Sequence, residues 1–130
     1  MNRVQLKGCL GADPEHRTTQ NGHEMLAFSM ATNHHYKDSS GEWQTATQWH
    51  DIRVFSKRLM DTLSLKKGDR VLVEGQLEYS VQEDARGNKH KRAFIMVTSK
   101  GDIHKIDRHA ADEDGPEEQE GGDWVLATGL

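Results

Sequence analysis

A single cysteine, Cys9, stands in 130 residues. It excludes an intrachain disulfide and a cysteine-built zinc cage. No apolar run reaches the roughly 18–20 residues of a membrane span, and none has the form of a secretory signal. Hydrophobic residues make up 34% of the chain and aromatics 6%, enough for one small core. No P-loop, GxGxxG, nucleophile elbow, HExxH, CxxC or His-x-His occurs. Eight histidines are present, but His34 and His35 are adjacent and would point apart on a strand. The chain is thus expected to hold no metal, no cofactor and no catalytic group.

The last absence is one of charge sign. All 17 Lys and Arg lie at or before Arg108, against 14 acids there, which leaves +3. Residues 109–130 hold seven acids and no Lys or Arg, which leaves −7. The division predicts a folded domain over 1–108 and an acidic disordered tail over 109–130. A body of that sign suits a polyanion, and a tail of that sign competes with one.

The body is patterned as strands. Val4, Leu6 and Leu10 alternate with Arg3, Gln5, Lys7 and Cys9, a half-buried strand. Residues 11–24 carry Gly11, Pro14, Asn21 and Gly22 and read as a turn-rich connection. A second strand spans 25–33, and 34–44 reads as a long loop or exposed hairpin tip. A third strand, 46–55, sets His50, Ile52 and Val54 on one face and Trp49, Asp51, Arg53 and Phe55 on the other. Ser56 caps a short helix expected over 57–67, with Lys66 and Lys67 at its end and Gly68 stopping it. A fourth strand runs over 69–84 with Gly75 marking a bulge or sharp coil. A fifth spans roughly 89–98, and 102–107 extends the sheet. Five strands with one helix between the third and fourth is the pattern of the OB-fold, an all-β Greek-key barrel.

Trp49 and Phe55 lie six residues apart, about 20 Å along a strand. Two outward aromatics with the Arg53 guanidinium between them suit a single nucleic-acid strand, with bases on the rings and phosphates on the cation. The alternative is that Trp49 and Phe55 fill the core while Ile52 and Val54 face a subunit; the strand pattern leaves both open. Lys66, Lys67, Arg86, Lys89, Lys91 and Arg92 form loose basic clusters that add to a phosphate-tracking surface.

The runs NRVQLKGCLGADPEHR (2–17), FSMATNHHYKD (28–38), GEWQTATQWHDIRVFSKRL (41–59) and LKKGDRVLVEGQLE (65–78) are similar to the bacterial and mitochondrial single-stranded DNA-binding proteins. The likeness covers nearly all of 1–107. It implies an OB-fold subunit of a homotetramer that wraps ssDNA without strong sequence preference, in replication, recombination and repair. It implies base stacking on Trp49, Tyr36 and Phe55, and places His50 near a subunit interface. Arg53, Arg3, Lys7, Lys57, Lys89, Lys91 and Arg92 complete the expected ssDNA contacts. The family often has basic residues and a tryptophan on the outward side of the fourth strand, where this chain has Glu78, Ser80 and Gln82. The tail ends in DWVLATGL, so Trp124, Val125 and Leu126 are the residues expected to recruit replication or repair proteins. No membrane contact is expected, and a bacterial, nucleoid-associated location is preferred to a mitochondrial matrix one. The competing function is an OB-fold primosome or recombination accessory factor acting through protein contacts.

Overall fold

Residues 1–106 are described by the computed structural model; Asp107 and beyond, including Trp124, Val125 and Leu126, lie outside the described residues. In chain order the elements are β1 (Val4–Leu10), β2 (Glu15–Thr18), β3 (Glu24–Lys37) and β4 (Trp43–Val54). After them come α1 (Lys57–Thr62), β5 (Arg70–Glu83), β6 (Lys89–Val97) and β7 (Asp102–Lys105). β1 pairs antiparallel with both β3 and β5, β3 with β4, and β5 with β6. A short parallel pairing of β4 with β6, Ile52↔Ile95 to Val54↔Val97, closes the circuit. The result is the five-stranded barrel expected from the sequence, with β2 added on β3 and β7 on β5.

Period-two patterning accounts for the core. Met30, Ile52, Val54, Val71, Val73 and Val97 are completely buried, each one step from an outward residue. Gly75 is where β5 leaves β1 and joins β6: Val4↔Gly75 ends one ladder and Gln76↔Met96 begins the next. A Cβ there would lie 2.6 Å from the Met96 carbonyl oxygen, so the strands cross at that point only because a side chain is missing.

Three details depart from the sequence reading. The connection over 11–24 contains β2, whose four residues are all exposed; with no apolar alternation it leaves no periodic trace. Residues 34–44, read as a long loop or an exposed hairpin tip, are the tip of a hairpin and mostly strand, because β3 and β4 continue beyond the barrel to Lys37↔Trp43, where water bathes both faces. The helix stops at Thr62 rather than at 67, with Leu63 already extended at φ −90°, ψ 135°. From there Leu63 and Leu65 both pack against the core, a spacing of two that extended chain satisfies and a helix does not. Lys66 and Lys67 therefore do not end a helix. Their N–H groups donate instead to Asp69 Oδ2 (3.0 Å) and Asp13 Oδ1 (2.8 Å).

Both long hairpins turn on the same device. Asp38 Oδ1 accepts from the Ser40 and Glu42 N–H groups at 3.0 and 2.9 Å. Asp84 Oδ1 accepts from the Arg86 and Asn88 N–H groups, both at 2.9 Å. Gly41 and Gly87 close the two turns at φ 84° and 83°. Hydrogen bonds hold both carboxyls below the usual aspartate range, first those from the Ser40 hydroxyl to Asp38 and from the His90 ring to Asp84, and then those from the backbone N–H groups.

Candidate nucleic-acid interface

The β4 ladder settles which face is which. Ile52 and Val54 have no exposed surface, whereas Trp49 is 38% exposed. The arrangement with the aromatics in the core is thereby excluded for Trp49. Across the outward side, Trp49 faces Ala31, Asp51 faces Ser29, and Arg53 faces Ala27 and Met96. On β5 and β6 the same side continues as Gln76↔Met96, Glu78↔Phe94 and Ser80↔Arg92. Small residues on β3 leave the larger β4 side chains standing above the floor.

Trp49 owes its pose to Gly11. A Cβ on Gly11 would come within 2.4 Å of indole Cζ3 and 2.8 Å of Cη2. The indole thus lies directly on main chain, which supports it from below, and Trp49 as a whole stays 38% exposed. Phe55 follows β4 and is half-buried, its N–H donating to the Val97 carbonyl at 2.8 Å.

Tyr36 does not share this side. It pairs with Gln44, five residues before Trp49 on β4, and alternation puts it with His34, Gln48 and His50. It is 42% exposed and stacks with His34, ring centroids 6.0 Å apart. The aromatic that does share Trp49's parity is Trp43, 71% exposed, with Lys37 Nζ 5.6 Å from its ring. Sequence reasoning left Trp43 out of the site because 34–44 read as a long loop or hairpin tip without strand alternation; extending the alternation to the tip finds it.

Arg53 has internal partners. Its Nη2 donates to Asp51 Oδ2 at 3.0 Å, and its Cζ lies 4.1 Å from the Phe94 ring centroid. Phe94 was also missed, although the alternation of buried Ile95 and Val97 places it outward. Glu78 stands opposite it and accepts from Gln76 Nε2 at 2.9 Å.

The expected cations divide between the two sides. Arg92 shares the Trp49 side, while Lys89 and Lys91 alternate to the other, where Lys91 Nζ sits 4.6 Å from the Tyr79 ring. Arg3 pairs with Glu74 at 3.1 Å beside a cleft of about 330 Å³ that Gln76, Met96 and Lys100 also line. Lys7 is exposed on β1 opposite Leu72. Lys57 reaches Asp61 along the helix at 4.0 Å. His50 is half-buried, shares a 2.8 Å hydrogen bond with Thr32 Oγ1, and has its pKa lowered by burial. Among the described residues no cluster of His, Cys, Asp or Glu is placed to hold a metal, and no helix is long and apolar enough to cross a membrane.

Comparison with known proteins agrees with this architecture. The chain is 41% identical over 99 residues to a mitochondrial single-stranded DNA-binding protein of Drosophila melanogaster, covering 75% of this chain and 67% of the relative. It is 42% identical to single-stranded DNA-binding protein 1 of Chlorobaculum tepidum, covering 75% of this chain and 60% of that one. For a single-stranded DNA-binding protein of Rhizobium meliloti the identity is 38%, with 75% of this chain and 58% of that one covered. Among solved structures, the Plasmodium falciparum SSB in complex with ssDNA superposes with a TM-score of 0.75 at 29% identity, covering 82% of this chain and 96% of that one. The family profile described as "Single-strand binding protein family" matches residues 1–103. With β1 through β6 and the start of β7 inside that match, the chain belongs to the single-strand binding protein family.

Proposed function

We propose that the chain binds single-stranded DNA, coating it without strong sequence preference during replication, recombination and repair, and that it does so without catalysing a reaction. The observation that carries this reading is Trp49: a tryptophan laid on the Gly11 backbone, on the outward side of β4, and still 38% exposed there. Every base has a π-face, so such a platform tolerates any sequence. Phe55 and Arg53 continue it along β4, Arg92 and Arg3 add positive charge, and Trp43 extends the same parity out along the hairpin. Tyr36, Lys89 and Lys91 serve a strand that passes round to the opposite side. The proteins that this chain resembles are bacterial and mitochondrial, and we place it with the bacterial ones, in the cytoplasm.

The working form is a homotetramer. β1 pairs with β3 only at Cys9 and Leu10, so one edge of Val4–Gly8 has no strand partner among the described residues. The end of β5 exposes Leu77, Tyr79 and Val81 at 36%, 54% and 64%, an apolar stripe that another subunit would cover. That stripe is also what favours the second reading, an accessory factor acting through protein contacts.

The test is one substitution read two ways. Trp49→Ala should weaken oligo(dT) binding by about 1–3 kcal/mol per base stacked, while the melting temperature stays near that of the parent. A well-folded variant with parental affinity would remove Trp49 from the interface and leave the protein-contact reading standing.

A further inference from the structure

On the β4–β6 face, Arg53, Phe94 and Asp51 form a unit that a phosphate-binding arginine would not need. The guanidinium carbon lies 4.1 Å from the Phe94 ring centroid, within the range of a cation–π contact. Nη2 is bonded to Asp51 Oδ2 at 3.0 Å, and the Arg53 side chain is only 18% exposed. Its Nε is buried and has no hydrogen-bond partner, as when a ring shuts that edge from water. Two neighbours thus fix the guanidinium in place, and one of them cancels its charge.

We propose that Arg53 and Phe94 together form a base-stacking plate, positioned by Asp51, and that Arg53 is not one of the phosphate contacts. The proposal rests on the ssDNA reading above and changes the role of a residue within it. A phosphate approaching this guanidinium also approaches the Asp51 carboxylate, so the pair releases no counterion and adds nothing to the salt dependence of binding. A nucleobase meets no such penalty. It finds the outer face of a planar cation that is backed by the Phe94 ring, and a guanidinium plane stacks with a base. The plate lies on the same side as Trp49, four residues and roughly 13 Å away along β4. That distance suits two platforms engaging one strand. It also supplies an aromatic on β6 next to Glu78, on the side of β5 that carries none.

The experiment compares salt slopes and base dependence for the full chain and three variants. The probes are oligo(dT) and an abasic oligomer of equal length, with a thermal melt on every sample. Arg53→Ala combined with Asp51→Asn, which removes the pair without changing net charge, should lose about tenfold affinity for oligo(dT) with an unchanged slope of log K against log salt, and lose little on the abasic strand. Phe94→Leu, which keeps apolar bulk and removes the ring, should reproduce that loss. Asp51→Asn should release the guanidinium to phosphate and steepen the slope by about 0.7. The proposal is overturned if that double variant flattens the slope by about 0.7 and weakens both probes equally, which is phosphate behaviour. It is overturned equally if Asp51→Asn leaves the slope unchanged; because Asp51 is exposed, that variant remains informative even if the other two fold poorly. If the parent protein does not bind oligo(dT) at all, the ssDNA reading itself fails, and no variant is needed to see it.

Discussion

His50 shows how one side chain reports on its surroundings. Burial disfavours its charged form and lowers its pKa from the ordinary 6.5. Above 6.5 the folded and unfolded chains both hold it neutral. As the pH falls below 6.5, the unfolded chain binds a proton that the folded chain declines, so stability is lost until the lowered pKa is passed. Thermal melts at pH 8 and pH 5 should therefore show a larger drop for the parent than for His50→Gln, which lacks the titrating group. Equal drops would mean that the Thr32 contact, rather than burial, governs the imidazole. Trp49 is informative in another way. Its outward face was left undecided by the alternation of 46–55, because a strand has two faces and the sequence does not say which is wet; complete burial of Ile52 and Val54 decides it. Gly11 held no such hint, since nothing near position 11 announces an indole folded back from position 49.

At the scale of elements, legibility follows burial. β1, β4 and β5 were readable because each crosses the core with one apolar side. β2 and the outer ends of β3 and β4, residues 34–37 and 43–45, were not, because their exposed backbone is held by hydrogen bonds that leave no apolar period. The helix was read correctly at its start and too long at its end. Its N-cap is Ser56, nearly buried, whose Oγ accepts from the Leu59 N–H at 3.3 Å. In a helix of six residues few other bonds share the load. Ser56→Ala should cost about 0.5–2 kcal/mol, seen as a lower denaturant midpoint with an unchanged m-value. A midpoint within error of the parent would mean that packing of Leu59 alone holds the segment. The hairpin turns supply a second handle. Asp38 and Asp84 both titrate below the ordinary 3.8, so the turns are fully capped above that pH and lose their caps as it falls through the lowered values.

For the whole molecule, the edge of β1 left unpaired among the described residues and the apolar stripe on β5 are the surfaces that the proposed tetramer would cover. Sedimentation at micromolar concentration should show a tetramer, and His50→Tyr should shift it toward smaller species; a parent that sediments as a monomer would refute the assembly. Charge is likewise divided on this scale, +3 over residues 1–108 against −7 over 109–130. Removing 109–130 should tighten ssDNA binding modestly below about 0.1 M salt, where screening is weak, and make no difference at high salt. An unchanged affinity at low salt would show that the acidic stretch does not compete with phosphate.

The alternation along β4 has a consequence for descent. Ile52 and Val54 keep the barrel shut, and Asp51 and Arg53, one step away, face outward. Single codon changes on the outward set can alter what the surface grips while the fold is inherited intact, so ligand preference and stability drift separately. Asp51 and Arg53 are the exception, since each stands as the other's counter-charge. Across relatives these two positions are expected to change together or not at all.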